Sequence, residues 1–252
     1  MLVWHEGSSE VGPVILVAPG STQRHFPLSH PWVQTLLRHS SQLACLELPG
    51  HGLDSPNLYA ITRVEDALEQ IRQDLLTLPP APLLIAGYSL GALVTLKHWS
   101  LLEERHPSVH ELVVGMGLRF RSKPLELVRS FFQGETFEAL GWRTAMEHHH
   151  GPRWLDLVET VGQWFNPGST LFLTSEEVDH LTQAQDRLVF VVGNEDQTFD
   201  SSDISSLGEF TIIEVPGDHF SYFSRRNSWA DVQDITLRAL AWWGLMEDSP
   251  QH

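Results

Sequence analysis

Apolar residues along this chain fall into short dense runs, separated by stretches in which they recur at helical spacing. Val14-Ile15-Leu16-Val17-Ala18, led in by Pro13, reads as a buried strand closed by Pro19-Gly20, and Leu43 to Leu48 as another closed by Pro49-Gly50-His51-Gly52. Such unbroken runs are expected of strands covered on both faces. Between them, Trp32 to Arg38 has a helical pattern behind Pro31, which predicts a β-α-β unit with parallel strands. The unit then repeats. Val64, Ala67, Leu68, Ile71 and Leu75 share one stripe of a helix over 64–76, and Leu83-Leu84-Ile85-Ala86 follows as a strand. A helix over 92–104 and a strand over 112–116 come next. From about 119 to 186 the rhythm gives way to aromatic and helical patterns with no obvious buried strand. It resumes with strands at Leu188–Gly193 and Phe210–Val215 and a closing helix over 229–246. The pattern predicts an α/β fold: a mostly parallel central sheet flanked by helices, one domain over 1–252, with an insertion at about 119–186.

One junction in this pattern carries chemistry. Gly87-Tyr88-Ser89-Leu90-Gly91 lies where an apolar strand gives way to an apolar helix. A serine on that sharp turn takes a strained backbone, tolerable when the flanking positions lack a Cβ, and its Oγ is lifted to the end of the sheet. Three fixed positions mean little alone, so the strand before and the helix after carry the argument. Serine is a poor nucleophile at neutral pH and needs a histidine base and a carboxylate to orient it. Two later strands run into suitable loops, Asn194-Glu195-Asp196-Gln197 and Pro216-Gly217-Asp218-His219-Phe220. In a parallel sheet both loops share an edge with the serine turn. Asp196 is the preferred carboxylate, with Glu195, Asp200 and Asp203 as neighbouring competitors.

Composition narrows the partners. The 252 residues include 32 acidic and 16 basic side chains, a formal charge of −16 that repels polyphosphate backbones and anionic lipid surfaces. The densest basic stretch, Arg119-Phe120-Arg121-Ser122-Lys123, is short and reads as a solvated loop, so no nucleic-acid partner is expected. No apolar run approaches the ~20 residues that cross a bilayer, and Met1 to Glu6 lacks the basic start of a secretory signal. A cytoplasmic protein without membrane insertion is the expectation. Cys45, the one cysteine, lies in an apolar run and reads as a packed core thiol. His148-His149-His150 does not have the spacing of a metal site, because adjacent residues on a helix point apart; no metal and no cofactor are expected.

Taken together, Ser89, Asp196 and His219 in that chain order, the turn at 48–52 and the position of the insertion resemble the α/β-hydrolase fold family over nearly the whole chain. The resemblance implies that His219 deprotonates Ser89, that Asp196 fixes the imidazole tautomer, and that water cleaves an acyl-enzyme. It implies an oxyanion hole formed by the backbone N–H of Leu90 and by that of Ser21, with Thr22 in reserve. The chain reads Pro19-Gly20-Ser21-Thr22 where the family usually has His-Gly, so Ser21 or Gln23 has to take over the histidine's bracing role. His51 fits a bracing role in its glycine turn better than a catalytic one. The insertion corresponds to the family's helical lid, and its aromatic residues, Phe131, Phe132, Trp142 and Trp164 among them, either line a pocket or pack the lid onto the core. The implied activity is hydrolysis of a carboxylic ester or thioester of a small, mostly apolar acid. A C–C bond hydrolase or lyase on the same fold, or a non-catalytic ligand-binding protein, is the alternative.

Overall fold

The computed structural model describes residues 1–20, 26, 28–49, 63–118, 164, 169–196, 199, 201–219, 222 and 226–245, with 226–229 described by backbone alone. In chain order the elements are β1 (Leu2–Glu6), β2 (Val14–Ala18), α1 (Pro31–His39), β3 (Gln42–Leu46), α2 (Val64–Leu75), β4 (Leu83–Tyr88), α3 (Leu90–Lys97) and α4 (Trp99–Arg105). There follow β5 (Val109–Val114), α5 (Ser175–Gln183), β6 (Leu188–Gly193), α6 (Ser201–Ser205), β7 (Thr211–Val215) and α7 (Arg226–Trp242). The strands join in one sheet in the order β1-β3-β2-β4-β5-β6-β7. All neighbours pair in parallel except β1, which runs antiparallel to β3 with Leu2 opposite Leu46.

The unbroken apolar runs have the structural cause expected of them. Along β2, Val14, Leu16 and Ala18 enter the core on one face while Ile15 and Val17 enter the core on the other. On the first face lie α2, α3, α4 and α5; on the second lie α1 and α7. Each buried aliphatic side chain contributes about 1.5–3 kcal/mol, so two such layers supply most of the driving force. The helices of the second face are also joined by polar contacts. The Trp32 indole N–H donates to Thr236 Oγ1 (2.9 Å), and Gln233 Nε2 donates to Thr35 Oγ1 (2.7 Å).

Several boundaries differ from the sequence reading. β1 was not anticipated, because Leu2-Val3-Trp4-His5-Glu6 mixes apolar and polar positions and leaves Trp4 on the surface. The helix expected over 92–104 is two helices broken at His98, whose φ of −104° and ψ of 16° interrupt the ladder. β5 begins at Val109 because the polar pair His110-Glu111 is part of it, and it stops before Gly115, which has a φ of 60°. Helix α5 lies inside the span assigned to the insertion. Val178 and Leu181 of α5, with Leu171 and Trp164, are buried in the same core as α3 and α4. Around them Lys97 Nζ bonds Glu177 (2.8 Å), and Glu103 pairs with both His180 and Arg187. The apolar side chains of 169–186 thus pack on the same core face as α3 and α4. The rest of the expected lid, Trp164 apart, lies outside the described residues, and so do the turn containing His51 and the His148–His150 run.

The strand order fixes where chemistry can collect. From β2 the chain moves outward to β3, then returns across β2 to β4. At such a reversal the loops leaving the two adjacent strands diverge and open a crevice at the carboxyl edge of the sheet. The loop after β2 and the turn after β4 both leave the sheet at this edge.

Candidate active site

Strand β4 passes into α3 through a single residue, Ser89, with φ 49° and ψ −118°. It is the one non-glycine residue at positive φ among those described. Holding a side chain in such a region costs on the order of 1–3 kcal/mol and persists only where the surroundings over-determine it. Here the Ser89 N–H donates to the Val114 carbonyl (2.9 Å) and the Ser89 carbonyl accepts from Leu93 N–H (3.1 Å), so both strand β5 and helix α3 clamp the turn. Gly91 is required by close approach: a Cβ there would lie 2.4 Å from the carbonyl carbon and oxygen of Ala18. The missing side chain lets the loop leaving β2 run directly against the start of α3.

Histidine and carboxylate arrive from the other side of the turn. The loops after β6 and β7 are laced together by Asn194 N–H to the Val215 carbonyl (2.9 Å), Glu195 N–H to the Gly217 carbonyl (2.9 Å) and Gly217 N–H to Asn194 Oδ1 (3.2 Å). This lacing sets His219 beside Ser89, with Nε2 2.9 Å from Oγ, and sets Asp196 behind it, with Oδ2 3.0 Å from Nδ1. A carboxylate on Nδ1 keeps the ring proton there and leaves Nε2 as the acceptor for the serine hydroxyl. The Asp196 side chain is fully buried, that of His219 nearly so, and Ser89 retains 9% exposure. Of the competing carboxylates, Glu195 is exposed, Asp203 lies on α6, and Asp200 is outside the described residues.

Two tyrosines hold this arrangement, and neither was singled out from sequence. Tyr222 O–H donates to Asp196 Oδ2 (3.1 Å) and accepts from Gly193 N–H (2.5 Å), tying the carboxylate to the end of β6. Asp196 Oδ1 accepts from Phe199 N–H (3.1 Å). Burial, then the Asp196 charge, pushes the Tyr222 phenol well above its ordinary value, so it remains a donor. Tyr88, next to the serine, donates to the His219 carbonyl (3.0 Å) and stacks on the His219 ring at 6.2 Å between centroids. Tyr88 was named only as part of the pentapeptide. Tyr222, three residues past the histidine, had no spacing signal at all, since its partner Gly193 is 29 residues away.

The remaining sequence expectations divide simply. Leu90 is the first residue of α3, so its N–H is among the amides that a helix N-terminus leaves without an intrahelical partner. Ser21, Thr22 and Gln23 lie outside the described residues. Cys45 is buried, and burial with the nearby Glu47 charge pushes its thiol up to about 12, far from a reactive thiolate. Among the described residues no cluster of His, Cys, Asp and Glu is placed to hold a metal ion, and no helix is long and apolar enough to cross a membrane.

A model of the alpha/beta hydrolase family matches residues 14–232. No curated protein matches the chain. Among solved structures, it is similar to the 2-hydroxy-6-oxo-6-phenylhexa-2,4-dienoate hydrolase of a Rhodococcus strain, at 17% identity and a TM-score of 0.65, covering 93% of this chain and 92% of that one. It is also similar to the type II thioesterase of the borrelidin biosynthetic cluster, at 14% identity and a TM-score of 0.62, with 95% and 96% covered. An esterase from a marine microorganism shares 13% identity at a TM-score of 0.58, with 95% and 99% covered. At such identities the solved structures speak for the fold alone, while the family model spans both the serine turn and the histidine loop: the chain belongs to the alpha/beta hydrolase family.

Proposed function

We propose that this protein is a serine hydrolase that cleaves a carboxylic ester or thioester of a small, mostly apolar acid, with Ser89 as nucleophile, His219 as base and Asp196 as the orienting carboxylate. One observation carries the reading: a serine at a strained strand-to-helix turn lies 2.9 Å from an imidazole whose far nitrogen is 3.0 Å from a buried carboxylate. The Ser89 proton passes to Nε2 as Oγ bonds to the substrate carbonyl carbon. The imidazolium so formed is stabilised by Asp196 and then protonates the departing alkoxide or thiolate. A water molecule, deprotonated by the same Nε2, attacks the acyl-serine and releases the acid.

Negative charge on the tetrahedral oxygen needs two donors. The Leu90 N–H at the helix start is assigned as one and the Ser21 N–H as the other, Ser21 following the Ala18 and Pro19 backbone that Gly91 allows to approach. The insertion at about 119–186 is assigned the part of a lid, and its aromatic residues favour an apolar acyl group. The substrate is a small molecule, and the reaction needs no cofactor.

Treatment with a fluorophosphonate should modify Ser89, identified by mass on its peptide, while Ser89→Ala should stay unmodified and lose about 10⁴-fold or more in kcat on p-nitrophenyl esters. A folded protein that stays unlabelled where a control esterase reacts would mark it as a binding module. Labelling, together with turnover of a β-diketone but of neither esters nor thioesters in a panel of graded acyl length, would place it among the C–C bond hydrolases.

A further inference from the structure

A buried acid lies directly beneath the serine turn, and the mechanism above does not use it. Glu111, on β5, has no exposed surface, and its register neighbours are Ile85 on β4 and Leu188 on β6. Its Oε1 is 2.7 Å from Thr95 Oγ1, and its Oε2 has no hydrogen-bond partner among the described residues. Among the described residues, no titratable side chain of α3, β4 or β6 forms a hydrogen bond or ion pair with it; Thr95 is the side chain that meets it. Gly87, the first glycine of the serine turn, is open to this carboxyl. A Cβ on Gly87 would lie 2.7 Å from Glu111 Oε1 and 2.7 Å from Ala92 Cα.

Counting protons decides the direction of these bonds. A hydroxyl has one proton to give and two lone pairs to receive with. Thr95 Oγ1 lies within reach of three oxygens: the Gly91 carbonyl at 3.0 Å, the Ala92 carbonyl at 2.9 Å and Glu111 Oε1 at 2.7 Å. Were Glu111 ionised, it would take the only hydroxyl proton, and Thr95 would face two helix carbonyls lone pair to lone pair. Its second oxygen would also be a buried charge with no donor, an arrangement proteins avoid. With the carboxyl neutral the contacts become compatible. Oε1–H donates to Thr95 Oγ1, the single Thr95 proton is shared between the Gly91 and Ala92 carbonyls, and Oε2 is a neutral carbonyl oxygen. Burial acts in the same direction, pushing the Glu111 carboxyl well above its ordinary range.

We propose that Glu111 is a positioning residue held in its protonated form, anchoring through Thr95 the Gly91 and Ala92 carbonyls and so fixing the first turn of α3 that carries the Leu90 N–H beside Ser89. Its consequence for turnover rests on the reading of Ser89 as nucleophile; its protonation does not. Ionisation of Glu111 at alkaline pH turns the Thr95 hydroxyl away from the helix and loosens the turn. The loss therefore appears in kcat more than in KM.

The experiment has one arm free of substrate and one that needs it. In infrared difference spectra at neutral pH, subtracting Glu111→Gln from the native protein should reveal the carbonyl band of a protonated carboxylic acid. Absence of the band would mean Glu111 is ionised and would overturn the proposal. With a p-nitrophenyl ester, Glu111→Leu should lower kcat by about tenfold to a hundredfold, as small misplacements of reacting groups do. Glu111→Gln, whose amide can still donate to Thr95, should restore most of that rate and flatten the alkaline limb. If Glu111→Leu does not fold, Thr95→Val and Thr95→Ser make the same comparison, with the valine variant slow and the serine variant near native. An unchanged kcat in the leucine or valine variant, or an alkaline limb retained in Glu111→Gln, would overturn the positioning role. A protein with the infrared band but no fluorophosphonate labelling would sink the hydrolase reading and leave the proton assignment standing.

Discussion

Asp196 receives hydrogen bonds on both oxygens, and the distribution of these donors tunes the imidazole in front of it. His219 Nδ1 and the Tyr222 hydroxyl share Oδ2, while Phe199 N–H takes Oδ1. Asp196→Asn keeps the shape but removes the charge and can invert the tautomer, so kcat should fall on the order of 10⁴-fold with KM little changed. Tyr222→Phe makes a subtler change. With one donor gone, the Asp196 carboxylate is held less firmly behind the imidazole. The rate on its plateau should fall on the order of tenfold, the worth of one hydrogen bond to a charged group. A kcat equal to that of the native enzyme would show that Tyr222 only fills space. At this scale the sequence was legible where chemistry and chain order act together, as for Ser89, Asp196 and His219. It was silent on Tyr222 and Glu111, because their partners, Gly193 and Asp196 for the one and Thr95 for the other, are set by how separate elements pack.

Elements were legible in proportion to how uniformly they are buried. β2, β4 and β6 are apolar throughout and stood out, whereas β5 hides Glu111 among apolar neighbours, and β1 at the sheet edge is only half covered. Helix α5 had a signal that was not used. Thr174-Ser175-Glu176-Glu177 has the S/T-x-x-E form of a capping box. In the structure Glu177 N–H donates to Thr174 Oγ1 (3.2 Å) while Glu177 Oε2 accepts from Thr174 N–H (2.6 Å). Thr174→Ala should therefore lower stability by about 1 kcal/mol, read as a shift in the urea midpoint. β5 carries a pH-dependent counterpart. A carboxyl raised in the folded state contributes stability that is complete below its unfolded value, about 4.3, and is lost as pH rises towards the folded value. Relative to Glu111→Gln, the native protein should thus lose urea resistance between pH 5 and neutral; parallel curves would show that Glu111 ionises alike in both states.

The whole molecule adds a field to the local chemistry. Its formal charge of −16 is additive over residues and so was readable before any fold was known, unlike the strand order that creates the crevice. At physiological ionic strength the screening length is about 8 Å, so the approach of a charged ligand is slowed chiefly when salt is low. A neutral p-nitrophenyl ester does not sense this field. An acyl-coenzyme A thioester, which brings several phosphate charges to the same crevice, does. Raising added salt from about 20 to about 200 mM should increase kcat/KM for the thioester several-fold and leave the neutral ester within error, because the effect acts on encounter and not on the acyl transfer itself. Stopped-flow measurement of both substrates over one salt series checks this. A thioester rate that falls with salt would locate a cationic patch at the crevice mouth strong enough to reverse the field of the remaining surface, and would make polyanionic thioesters, rather than neutral esters, the natural class of leaving group.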